Sequence, residues 1–363
     1  MNLSVWVDYL TPKQVLFFRS ITEKLEKDGF EIIRTTREYS EVIRMLELTD
    51  TDAKIIGQHG GRSLKGKLIA SAKRIIELAK YISTKKIACA LGFASPELSR
   101  VALGLAIPHF TVNDSPHSIA VARLTSPPLS ERLFTPEQIP IRAWLKIGIA
   151  RDKIIQYNGL DPIAWLKGFS PNIHIVEELG LNLDKPIIVA RTEEKKASYL
   201  LDLDPSQISI TVPIIKNISQ EYPGFQIVMI PRYDKQHLEL KKALGEEITV
   251  LDKAIDGASL LAFSSLFIGA GGTMNAEAAL LGVPTISCYP KETTHVEQFL
   301  IQEGAIHRAK NENKAIEKAK EILSSPEYFK ERHKRIAKRL LNTMEDPSEV
   351  IVKNIEEFLV EVQ

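Results

Sequence analysis

The stretch SLFIGAGGTMNAEAALLGVPTI, residues 265–286, runs from an apolar strand-like segment into Gly269, Gly271 and Gly272, then into a helical pattern. The helix is expected to begin near Thr273 and to stop at Gly282–Val283–Pro284. Glycines between a strand and a helix let a phosphate approach backbone N–H groups, and the helix dipole favours its negative charge. The spacing is not the dinucleotide GxGxxG pattern, because Met274 stands where the last glycine would fall. It is not a P-loop either, since no GK[ST] follows. Glu277 lies about one turn into the helix. Helical side chains lean toward the N-terminus, so its carboxylate points back to the helix mouth, where it could accept from ribose hydroxyls or simply complement the helix dipole.

Outward from this stretch, short apolar runs alternate with longer amphipathic segments. In the second half KPIIVAR (185–191), QISITVP (207–213), FQIVMIP (225–231), EITVLD (247–252), SLFIGA (265–270) and VPTISCYP (283–290) read as strands. Helices are expected between them, near 194–201, 214–221, 234–243, 253–263, 273–281 and 294–302. Three terminal helices, near 312–323, 327–341 and 346–361, end the chain. In the first half LSVWVDYL (3–10), FEIIRTT (30–36), AKIIGQ (53–58), KIACALG (86–92), IPHFTVN (107–113) and IIQYNG (154–159) are the strands, again separated by helices. The alternation predicts an α/β chain of two Rossmann-like domains facing a cleft, each with a parallel sheet between helices. The expected division is residues 1–170 and 171–363, with terminal helices that can pack back on the first domain.

The 363 residues exceed what one core usually organises. Forty-four per cent hydrophobic and 26% charged residues are ordinary globular composition. A net charge of +1, from 47 basic and 46 acidic residues, provides no field for nucleic acid. The two cysteines, Cys89 and Cys288, are far apart and lie in no metal-ligand pattern, so neither a disulfide framework nor a metal site is expected. No leader or membrane-spanning run is evident, and the expected location is cytoplasmic.

The run GAGGTMNAEAALLGVP resembles the donor-binding segment of GT-B glycosyltransferases and of non-hydrolysing nucleotide-sugar 2-epimerases. In those families the glycine turn receives a diphosphate and a helix glutamate holds the ribose, which here implicates Gly271, Gly272, Thr273 and Glu277. Over nearly its whole length the chain is similar to an uncharacterised family of GT-B-type proteins, through WVDYLTPKQVLFFRSI, IGQHGG, VNDSPH, YNGLDP and IVARTEEKKASYL. The resemblance implies a nucleotide sugar, a UDP-sugar first among the candidates, as substrate, with no cofactor and no metal.

Other candidates sit where strands end. Asp8 closes the first strand and is either a ligand contact or a cap near Thr11. His59, before Gly60 and Gly61, offers an imidazole at an open backbone. Asn113, Asp114 and His117 follow the fifth strand. The resemblance places a catalytic acid or base there, with Asp114 and His117 as a proton-transfer pair; an Asx turn is the alternative. Arg191 and Arg232 end two strands of the second half and are suited to a diphosphate. The resemblance to GT-B enzymes implies that His295 and Gln298 contact the sugar. The basic stretch RSLKGKLIASAKR (62–74) is expected to be an ordinary helix packed on the sheet, with peripheral membrane contact not favoured. The leading expectation is a metal-independent glycosyltransferase acting on an unidentified acceptor. A 2-epimerase, short of acids in this reading, and a non-catalytic nucleotide-sugar-binding protein are the alternatives.

Overall fold

The computed structural model describes residues 4–127, 129–193, 208–232 and 236–362. Two compact units divide the chain. One holds Met1–Trp165 and Met344–Gln363, the other Leu166–Lys195 and Asp202–Thr343.

The first unit is built on seven strands: β1 (Ser4–Tyr9), β2 (Glu31–Glu38), β3 (Lys54–Gln58), β4 (Ile87–Phe93), β5 (His109–Val112), β6 (Arg132–Pro136) and β7 (Ile154–Tyr157). All pairings are parallel and the order is β3-β2-β1-β4-β5-β6-β7. The chain works outward from β1 to one edge, then returns to its other side at β4. The reversal between β1 and β4 opens a crevice at the carboxyl ends of the strands. Strand β1 is buried along its whole length, as a central parallel strand covered on both faces must be.

Two apolar layers enclose this sheet. On one face Val5, Val7, Leu91, Phe110 and Phe134 meet Phe17, Phe18 and Ile21 of the helix Pro12–Lys27. Pro12 pre-sets the first turn of that helix. The same layer takes in Ile351, Val352, Ile355 and Leu359 of the last helix, Pro347–Val362. On the other face Trp6, Ile56 and Ala90 meet Leu78 and Ile82 of helix Leu64–Ile82, with Leu98 and Val101 of helix Pro96–Gly104.

The second unit has six parallel strands: β8 (Ile187–Arg191), β9 (Gln226–Ile230), β10 (Thr249–Val250), β11 (Leu266–Gly269), β12 (Thr285–Ser287) and β13 (His307–Arg308), in the order β10-β9-β8-β11-β12-β13. Its reversal falls between β8 and β11.

Two expectations about elements are revised. QISITVP is not a strand: its described part turns into helix Thr211–Glu221, because Val212, Ile214, Ile215 and Ile218 recur at helical spacing and all face the core. The β-branched residues there suggested a strand, and tertiary burial overrode that propensity. Strands β6 and β13 carry too little signal of their own, β6 being five residues that end in proline and β13 only two residues. The helix expected near 194–201 lies outside the described residues.

Candidate functional site

In the second unit the site begins at the glycine turn. Gly271 and Gly272 both hold φ near +93°, which L side chains rarely adopt, and helix Thr273–Leu280 starts directly after them. A Cβ on Gly271 would also meet the ring of Tyr289, and one on Gly269 would overlap Asn275. The turn is therefore shaped as bare backbone, with the N–H groups of a helix start behind it.

Arg191 is brought to this turn by strand register. It pairs with Gly269 across β8 and β11, at the point where the strand order reverses. Its Nη1 lies 3.3 Å from Sδ of Met274, in the first helical turn, so the guanidinium lies at the start of the helix. Arg232 follows β9, and its backbone N–H donates to Thr192 Oγ1 (3.1 Å) and Gln236 Oε1 (2.8 Å), which ties down the loop carrying it. Glu277 is buried, 9% exposed, on the same helix, and Thr273 is half-buried.

The wall opposite is the loop after β12. Arg308 donates to the carbonyls of Ser287 (3.3 Å), Lys291 (3.0 Å) and Tyr289, and so fixes the tyrosine that lies over Gly271. Helix His295–Gln302 begins at Thr294, whose Oγ1 accepts from the Glu297 N–H. His295 is half-buried and Gln298 exposed, while Glu297 between them turns inward and accepts from Ser287 Oγ. Burial pushes the Glu297 carboxyl above its ordinary value, against the Ser287 hydrogen bond and Arg308. Neither Arg308 nor Glu297 stood out in the sequence, because each acts through a loop brought near by β12 and β13.

In the first unit Asp8 is fully buried and closed off by protein. Arg74 grips it with Nη2 at 2.6 Å from Oδ1 and Nη1 at 3.0 Å from Oδ2; Thr35 and Ser95 each donate at 2.7 Å. Arg74 reaches it past Gly57, where a Cβ would come within 2.8 Å of the arginine stem. Burial alone would raise the Asp8 carboxyl, and the Arg74 charge with these three donors holds it low. Asp8 is thus neither the ligand contact nor the cap near Thr11 that its position suggested. Helix Pro12–Lys27 has no side-chain cap bond at Thr11.

Asp114 belongs to a different arrangement. Lys13 Nζ lies 2.6 Å from Asp114 Oδ2 and 2.5 Å from Asp161 Oδ2, and Tyr157 donates to Asp161 Oδ1 at 2.6 Å. Ser115 Oγ donates to Asp114 Oδ1 at 2.7 Å, while its N–H donates to Asn113 Oδ1 in an Asx turn. Lys13 also sits 4.2 Å from the Phe93 ring centroid. Burial would raise the Asp114 carboxyl; the Lys13 charge together with the hydrogen bonds from Lys13 and Ser115 brings the group down to about 2. Asp161, more deeply buried and beside a second carboxylate, is held above its ordinary value. Burial would lower Lys13, and the two carboxylates keep it raised.

A carboxylate held this low stays ionised at neutral pH and accepts hydrogen bonds well, but it is a weak proton acceptor. That departs from the base role expected of Asp114. Its observed partner is Lys13 rather than the expected His117, which is exposed three residues on. His59 stacks on Tyr39 with ring centroids 4.7 Å apart, and its Nδ1 accepts from the Gly61 N–H at 3.1 Å. Gly60 serves packing: a Cβ there would come within 2.5 Å of the Lys67 backbone. Lys13 and Asp161 lie within the runs WVDYLTPKQVLFFRSI and YNGLDP, but nothing local to either run marks them as site residues. Among the described residues no group of three or more His, Cys, Asp and Glu side chains is arranged to hold a metal.

Two parallel α/β units, each with its reversal point and loops at the carboxyl ends of the strands, define the GT-B class. A solved UDP-GlcNAc 2-epimerase from Neisseria meningitidis bound to UDP-GlcNAc matches 98% of this chain and 100% of its own, with TM-score 0.74 and 17% identity. The spinosyn forosaminyltransferase SpnP matches 99% of this chain and 100% of its own, with TM-score 0.65 and 13% identity. At these identities the likeness is one of fold. The chain belongs to the family described as Protein of unknown function (DUF354), whose model matches residues 3–360. An uncharacterised protein of Methanocaldococcus jannaschii, MJ0665, is 32% identical over 375 residues, covering 99% of each chain.

Proposed function

We propose that this protein is a nucleotide-sugar-dependent glycosyltransferase whose second unit holds the donor diphosphate without a metal. The observation that carries this reading is Arg191, placed by the β8–β11 register at the start of helix Thr273–Leu280 beside two positive-φ glycines. Backbone N–H groups and a guanidinium together suit a diphosphate, and they stabilise the charge that develops on a departing nucleoside diphosphate. In this reading Arg232 adds a second cation, Gly271, Gly272 and Thr273 line the phosphates, Glu277 accepts from the ribose, and His295 with Gln298 contacts the sugar. In the first unit Asn113 and ionised Asp114 orient an acceptor hydroxyl, and His117 or His59 takes the proton. A UDP-sugar is the first candidate, because the fold neighbour from Neisseria meningitidis binds UDP-GlcNAc. The proposed location is cytoplasmic; no described helix is long and apolar enough to cross a membrane.

A second reading, a nucleotide-sugar 2-epimerase, draws support from Asp161, which puts a second carboxyl beside Asp114. The test is thermal unfolding with a panel of nucleoside diphosphates and nucleotide sugars, on the native chain and Glu277→Ala. At ligand concentrations about 100 times the dissociation constant, stabilisation of roughly 2.7 kcal/mol is expected, and Glu277→Ala should lose most of it. No shift with any nucleotide on folded protein removes the reading and leaves a role outside nucleotide-sugar chemistry. Incubating the nucleotide sugar alone in heavy water then separates the two enzymes, because an epimerase exchanges the sugar proton without an acceptor.

A further inference from the structure

Helix Leu64–Ile82 does not bury all its apolar residues against the sheet. Arg74, Leu78 and Ile82 face inward, whereas Leu68 is 72% exposed, Leu64 66%, Ile76 57% and Ile69 46%. Residues 64, 68, 72 and 76 form one i, i+4 row, so the exposed groups make a continuous stripe more than three turns long. Helix Pro96–Gly104 packs beside it, and helix Ile119–Thr125 packs beside that one. These add exposed Leu103 and Leu124 to the same outer layer.

The charge on this layer is predominantly positive. Residues 62–82 contain six cations and one acid, Glu77, and Arg74 alone of the six is committed to Asp8. Arg100 and Arg123 are exposed on the two neighbouring helices, whose one acid, Glu97, is buried. Apolar side chains interspersed with unbalanced positive charge suit a partner that is both oily and anionic. A second copy of the chain would set the same excess of cations against itself across a two-fold axis, which charge disfavours.

We propose that the outer face of helix Leu64–Ile82 and its two neighbours docks on an anionic lipid surface. Leu64, Leu68, Ile69 and Ile76 enter the headgroup boundary while Lys65, Lys73 and Lys80 meet lipid phosphates. This stands apart from the nucleotide-sugar reading, and its test is separate.

The full chain is sedimented with vesicles of phosphatidylcholine alone and of phosphatidylcholine mixed with phosphatidylglycerol. Partition is expected onto the mixed vesicles only, falling with salt. L68S/I76S and K65Q/K73Q should each weaken it by about tenfold or more. Both variants change exposed groups, so their thermal unfolding should match the native chain. Absence of binding to mixed vesicles overturns the proposal, as does binding that survives L68S/I76S. Self-association of the native chain, abolished by L68S/I76S and unaccompanied by vesicle binding, overturns it in favour of a second copy.

Discussion

At the scale of single residues, the first unit buries two ionic arrangements with different consequences. Asp8 and Arg74 are 0% and 1% exposed and satisfy one another with Thr35 and Ser95. Removing one partner strands the other charge, so Arg74→Met is expected to cost about 3–5 kcal/mol. Adding Asp8→Asn should recover part of that loss, read as midpoints in urea. Both acids of interest, Asp8 and Asp114, were visible as residues that end strands. Their partners were not, because Arg74 lies 66 positions from Asp8 and Lys13 lies 101 from Asp114. Which lysine meets which carboxylate depends on β4 lying between β1 and β5, and nothing local to TPK or VNDSPH encodes that order.

At the scale of elements, β5 shows how a strand that reads clearly in sequence can hide its chemistry. IPHFTVN alternates as a strand should, with Phe110 and Val112 in one apolar layer. His109 faces the other side, 2% exposed, and burial lowers its imidazole to about 4 against a small opposing bond from the Thr125 backbone. The folded form therefore favours neutral His109. Stability from this group is complete above its ordinary value of 6.5 and is lost as pH falls from there toward 4. The shift corresponds to about 3 kcal/mol at the acid end. Urea midpoints measured from pH 7 to pH 4 should fall less steeply for His109→Gln than for the native chain. An equal slope would show that His109 titrates alike in both states. The glycine turn, by contrast, was legible in full, since two consecutive positive-φ residues before a helix demand glycine wherever the fold puts them.

At the scale of the whole molecule, strand–helix alternation carried the two parallel sheets, and most strands lie where their apolar runs predicted. The lapses occurred where a run was short, as in β6 and β13, or where helical burial outweighed β-branched propensity, as in 207–213. Ile351, Val352, Ile355 and Leu359 join the core of the first sheet, although some 180 residues of the second unit intervene. Burial of such side chains stabilises by about 1.5–3 kcal/mol each. A chain ending at 343 is therefore expected to leave 4–165 sensitive to protease while 208–343 stays protected, as read by limited proteolysis and mass spectrometry. Equal resistance in both segments would show that the last helix is dispensable.

That last helix also sets the order of events at the ribosome. Synthesis is vectorial, and domains usually complete themselves in the order they emerge. Here the segment that emerges first needs helix Pro347–Val362 to cover Phe17, Phe18 and Phe110. The second unit, whose segments both lie between residues 166 and 343, can close while the first is still waiting. Until residues 347–362 have emerged, the nascent protein presents an uncovered apolar face, the kind of surface that chaperones hold.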